Sequence, residues 1–114
     1  MTYEHSIVEG YLKVTFIGDL IGESKGMELV ELANDHINKG VIYALIDISD
    51  VRYINSSGIG VLITLLTKFR NKNGDLFLIR PSDHVKKLLI ITKLQSIFNL
   101  VDTSEEAMEI ISKK

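Results

Sequence analysis

Leu12, Val14 and Phe16 alternate with Tyr11, Lys13 and Thr15. That period of two predicts a strand with one covered face. Residues 5–8 precede it and pair with it as a hairpin turning at Glu9-Gly10. Over residues 23–39 the period lengthens to that of a helix. Val30, Ala33 and Ile37 make its stripe, with Met27 and Leu29 flanking it, and Gly40 ends it. Residues 43–48 are almost continuously apolar, as in a central strand covered on both faces. A second helix opens at about Ile59 and runs to Asn71, stopped by Asn73-Gly74. Residues 76–79 predict another buried strand, which Pro81 ends. Ser82 or Asp83 then caps a third helix carrying Val85, Leu88 and Leu89. Residues 97–101 read as a last strand, and Thr103 and Glu106 have the spacing of a capping box. The helix they open turns Ala107, Ile110 and Ile111 inward.

The resulting order is β-β-α-β-α-β-α-β-α. It predicts an α/β fold: a mixed sheet with central parallel strands, right-handed crossovers and an N-terminal antiparallel hairpin. With 114 residues and no linker or repeat, the chain reads as a single domain over residues 1–114.

Composition narrows the functional classes. The net charge of −2 argues against direct nucleic-acid binding, which calls for a basic face. No cysteine is present, so neither a disulfide nor a thiolate metal site enters the reading. The N-terminal residues carry no basic and apolar signal pattern, and the longest uncharged run, residues 53–67, is too short to cross a bilayer. A cytoplasmic protein without a membrane partner is expected.

Enzyme motifs are weak. Gly58-Ile59-Gly60 echoes a dinucleotide loop, but Ile63 stands where the third glycine belongs. Ser57 is not framed as a nucleophile elbow, and no His or Lys stands near it in sequence as a base. His5, His36 and His84 are scattered, and Asp47 and Asp50 suit bonds to nearby backbone N–H groups better than a metal. No catalytic residue, metal or cofactor is assigned.

The informative segment is Asn55-Ser56-Ser57-Gly58. It places two hydroxyls at a helix start, where free N–H groups and the helix dipole favour a phosphate. Capping alone would also select these residues. The helix behind them adds a second sign. Ile59, Leu62, Ile63, Leu66 and Phe69 form a core stripe, with Val61 and Leu65 widening it. Gly60, Thr64, Thr67, Lys68 and Asn71 make an opposite face that is small and weakly polar, suited to a protein partner unless another layer of the fold covers it.

Leu45-Ile46-Asp47-Ile48-Ser49-Asp50-Val51 followed by Ile54-Asn55-Ser56-Ser57-Gly58-Ile59-Gly60-Val61-Leu62 resembles the signature of STAS domains, and most of all the stand-alone anti-sigma factor antagonists of bacteria. The resemblance continues through Gly74-Asp75-Leu76-Phe77-Leu78-Ile79 and on to Glu105-Glu106-Ala107. It implies a partner switch. An anti-sigma factor that is also an ATP-dependent serine kinase binds the unphosphorylated antagonist and phosphorylates its second motif serine. A metal-dependent serine phosphatase resets the switch. By position the acceptor is Ser57, with Ser56 in reserve, and the contact surface is Asn55, Ser56, Ser57, Gly58, Gly60, Val61, Thr64 and Lys68. A monomer or weak dimer is expected. Asn55 stands where the family carries Asp, which keeps the cap and removes a carboxylate. The alternative that the resemblance leaves open is a scaffold subunit of a larger signalling or lipid-transport complex.

Overall fold

The structure, a computed structural model, describes residues 2–21 and 24–113. Strand β1 (Thr2–Val8) pairs antiparallel with β2 (Tyr11–Ile17), from Val8 opposite Tyr11 to Thr2 opposite Ile17. The turn between them holds Glu9 at φ 52° and Gly10 at φ 86°, the left-handed geometry that lets a two-residue turn follow the strand twist. Strands β3 (Tyr43–Asp47), β4 (Asp75–Ile79) and β5 (Asn99–Val101) add in parallel, giving the order β1-β2-β3-β4-β5. The mixed sheet expected from the sequence is the sheet observed.

Helices α1 (Ser24–Asn38), α2 (Ser56–Arg70) and α3 (Asp83–Ile91) share one core with the sheet, built on Leu12, Val14, Phe16, Ile46 and Leu78. Helix α4 (Ser104–Ser112) covers the other face through Ala107 and Ile111 against Leu45, Phe77 and Ile79. All five residues of β4 are buried, which explains the unbroken apolar run over residues 76–79.

Several details differ from the sequence reading. In α1 the buried stripe is Leu29, Ala33 and Ile37; Val30 is half-buried and Met27 is 70% exposed. The expected start at Glu23 lies outside the described residues. Helix α2 begins at Ser56 rather than near Ile59, because Asn55 already caps it. Its buried face is Gly58, Leu62, Leu65, Leu66 and Phe69, with Ile59 and Ile63 only half-buried. Both stripes are rotated because α1 and α2 pack against each other as well as against the sheet, and periodicity alone cannot say on which side a neighbour lies. Strand β5 starts at Asn99, since Ile97 and Phe98 direct their N–H groups to Leu94 in the preceding 3₁₀ turn. Ile110 is 39% exposed, because among the described residues α4 is the one helix on its face and only a narrow stripe of it meets the sheet.

Candidate functional site

Two loops set the position of the paired serines. One leaves β2 toward α1 and the other leaves β3 toward α2, and a parallel bridge between Leu20 and Ile54 joins them. The Leu20 N–H donates to the Tyr53 carbonyl at 2.8 Å, and the Asn55 N–H donates to the Leu20 carbonyl at 3.2 Å. Asp50 adds a third tie by accepting from the Gly18 N–H at 3.2 Å, while Asp47 accepts from the N–H and hydroxyl of Ser49 at 2.9 and 2.7 Å. Asp47 thus bonds its own loop, as expected, whereas Asp50 reaches across to the other loop. Among the described residues no group of three His, Asp or Glu is arranged to hold a metal.

At the end of the second loop Asn55 is the N-cap of α2, and its side-chain oxygen accepts from the Gly58 N–H at 2.7 Å. Ser56 and Ser57 are therefore the first two helical residues, and their N–H groups belong to the helix end that has no intrahelical acceptor. Both side chains are exposed. The first turn of α2 holds no acidic residue, while Lys68 and Arg70 lie in its last turn, so the helix dipole is complemented at one end only.

Gly58 is buried, and a Cβ there would collide with the Leu20 carbonyl. Its role is to let the first turn of α2 press onto the loop, which the sequence reading, counting it in the contact surface, did not foresee. Gly60 is exposed with open space around it. Thr64 and Thr67 direct their hydroxyls to the carbonyls of Gly60 and Ile63 at 2.8 and 2.9 Å.

Helix α1 supplies the part that sequence reasoning missed. Gly26 is buried where the two helices meet, and a Cβ built on it would lie 2.5 Å from a methyl group of Val61. That close approach shapes an open groove of about 600 Å³. Gly26, Met27, Val30 and Glu31 of α1 line one side, and Ser57, Gly60, Val61 and Thr64 of α2 line the other. Asn55, Ser56 and Lys68 are not part of its lining. The signal available in the sequence was Gly26 inside a helix, beside a methionine off the Leu29-Ala33-Ile37 stripe.

Helix α1 is held in place at its outer side. The Tyr3 hydroxyl of β1 donates to a Glu28 carboxylate oxygen at 2.7 Å. Partial burial, then the hydrogen bond to Glu28 and its charge, push the Tyr3 phenol from 10 up to about 12. Glu28 is in turn held below the usual carboxylate range, first by the Tyr3 hydroxyl and then by Lys25. The phenol stays protonated, so this anchor persists through neutral and mildly alkaline pH.

The family model described as STAS domain matches residues 3–107. A curated relative from Thermotoga maritima, provisionally named an anti-sigma factor antagonist, is 32% identical over 81 residues, 71% of this chain and 72% of its own length. A crystal structure under the same provisional name from Thermotoga maritima superposes with a TM-score of 0.85 at 26% identity, covering 96% of this chain and 94% of that one. The anti-sigma factor antagonist SpoIIAA in its unphosphorylated form gives a TM-score of 0.78 at 18% identity, over 97% of this chain and 98% of that one. The phosphorylated form of SpoIIAA, a Bacillus cell fate determinant, gives 0.75 at 17% identity, over 96% and 99%. At that identity the SpoIIAA likeness concerns the fold alone.

Proposed function

Because the chain belongs to the STAS domain family, we propose that it is an anti-sigma factor antagonist, acting in the cytoplasm by binding a serine-kinase anti-sigma factor and released when that kinase phosphorylates Ser57. The observation that carries the reading is Ser57 itself. It is exposed, it is the second residue of α2, its helix turn contains no acid, and it lies on the edge of an apolar groove. The names of the relatives support it, as does a fold relative solved in both phosphorylation states.

The chemistry follows from the helix end. A phosphate on Ser57 adds about −1.5 to −2 charge at neutral pH. The free N–H groups and the dipole of α2 accommodate that charge, so the fold survives it. At an interface the same group must be desolvated beside apolar surface. A loss of about 3 kcal/mol there weakens binding about a hundredfold, enough for a switch when partner concentration lies between the two affinities. A metal-dependent serine phosphatase completes the cycle. Ser56 is exposed but lies off the groove, so Ser57 is the acceptor and Ser56 the reserve.

The test is to incubate the protein with ATP and each anti-sigma factor serine kinase encoded in the same genome, measure binding, and map the phosphosite. Phosphate on Ser57 with weaker binding afterwards is the expected result. Phosphate on neither serine, together with no kinase binding, would end the proposal.

A further inference from the structure

The seven described glycines divide unevenly. Gly10, Gly18 and Gly40 sit in left-handed backbone, and Gly26, Gly58 and Gly74 are pressed against Val61, Leu20 and Ile42. Gly60 has neither reason. It lies inside a regular helix, where glycine is less favourable than alanine, and a Cβ there would meet nothing within 4 Å. The fold gains nothing from the missing side chain. What that absence provides is bare backbone on the wall of the groove beside Ser57.

The rest of the groove says what fits there. Met27, Val30 and Val61 are apolar, and Thr64 commits its hydroxyl to the Gly60 carbonyl, leaving its methyl group for contact. Among the described residues Glu31 is the one charged residue in the lining, exposed and with no ion-pair partner. Helices α1 and α2 both cross between parallel strands, so they run side by side in the same direction. Gly26 meets Val61. Glu31 lies five residues beyond Gly26, and Ser57 four residues before Val61, so Glu31 and Ser57 are about 13 Å apart along the groove.

We propose that the α1–α2 groove receives an amphipathic helix of the kinase partner, with an apolar anchor side chain seated on Gly60 and a Lys or Arg one to two turns away facing Glu31. This inference rests on the partner-switch reading and names the contact that the switch acts on. Helix-in-groove docking takes its affinity from such an anchor and its orientation from the flanking charge. A phosphate on Ser57 then stands at the groove wall beside the anchor, far from the basic residue, so it obstructs without being neutralised.

The experiment measures affinity for each purified anti-sigma factor kinase of the same genome with wild type, Gly60→Leu, Gly60→Ala and Glu31→Lys, alongside thermal midpoints. Gly60→Leu fills the groove and is expected to weaken binding a hundredfold or more while the midpoint holds or rises. Gly60→Ala weakens it less, also without loss of stability. Glu31→Lys is expected to weaken binding roughly tenfold, an effect reduced by added salt. If wild type binds a kinase and Gly60→Leu binds it within threefold of wild type, the groove is not the docking site and the partner-switch reading stands. If wild type binds none of the kinases, that reading fails and this one with it.

Discussion

Helix α2 starts with Asn55-Ser56-Ser57-Gly58 and helix α4 with Thr103-Ser104-Glu105-Glu106, so each places a capping side chain and then a hydroxyl at its N-terminus. At α4 the chain answers its own helix end. Thr103 accepts from the Glu106 N–H at 3.1 Å, Glu106 reaches back to the Asp102 N–H at 3.1 Å, and Glu105 adds another acid to the first turn. At α2 the cap is neutral and the first turn has no acid. A hydroxyl at a helix start is common and says little. What separates Ser57 from Ser104 is an uncompensated dipole and an apolar groove alongside, two properties of the surroundings.

The two starts differ most in what lies beneath them. The first turn of α2 is pressed onto the Leu20 carbonyl through Gly58, whereas Glu105 and Glu106 of α4 are exposed. Gly58→Ala is expected to cost about 3 kcal/mol, since the obstacle is backbone that cannot swing aside. Glu106→Ala is expected to cost about 1 kcal/mol, the value of its bond from the Asp102 N–H. Urea unfolding of both variants measures the gap. Equal costs would mean that the start of α2 is not pinned to the loop.

The far ends repeat the contrast. Arg70, the last residue of α2, places Nε 3.0 Å from Asp75 Oδ1 and its Nη2 2.7 Å from the Ile97 carbonyl. Burial raises the Asp75 carboxyl, but hydrogen bonds from the Leu76 N–H, the Asn99 amide and the Arg70 guanidinium outweigh it and hold the group below its ordinary 3.8. At the end of α4, Lys113 and Glu109 form a pair that is 74% and 67% exposed. Asp75→Asn is expected to lose about 2 kcal/mol at neutral pH, and Glu109→Gln under about 0.5 kcal/mol. Because the folded value of Asp75 is depressed, its contribution is complete above the ordinary value and disappears as pH falls through the folded one. Stability profiles of wild type and Asp75→Asn therefore converge below about pH 4. Parallel profiles down to acid unfolding would show that the carboxylate is not what ties the end of α2.

The sheet was legible because strand faces repeat every two residues and the middle of β3 and residues 76–79 of β4 are continuously apolar. The capping residues Ser82 and Thr103 and the turn at Glu9-Gly10 were legible because their geometry is local. The groove was only half legible. Ser57, Gly60, Val61 and Thr64 lie on one helix and could be grouped by spacing, but Met27 and Glu31 join them only through the crossing of a helix some thirty residues earlier. Lys68 shared the spacing and is outside the groove, because spacing on a wheel does not report what a neighbouring helix covers and what it leaves open. Leu65 was placed at the edge of the stripe and is 1% exposed for the same reason.

Removing the caps brings the two starts to equal footing. Asn55→Ala and Thr103→Ala are each expected to cost about 1 kcal/mol, since each loses one bond to an N–H of its own first turn. Thermal unfolding checks this. A cost at Asn55 well above that at Thr103 would show that the Asn55 side chain does more than cap α2.

The smallest expected effect bears most directly on the contrast, because Asn55→Asp gives α2 the acidic start that α4 already has. Asn and Asp cap equally well, so the hydrogen bond to Gly58 is kept. The added charge meets the dipole and is expected to raise stability by about 0.5 kcal/mol at low salt, fading as salt is added. Ser57→Glu alone is expected to do about the same. Combined, the two changes place like charges within one turn, so their effects fall short of additive. A double-mutant cycle on thermal stability at low and high salt measures that shortfall. Full additivity would mean that the two positions do not sense each other, and the neutral cap at Asn55 would then have no bearing on how readily Ser57 carries a negative charge.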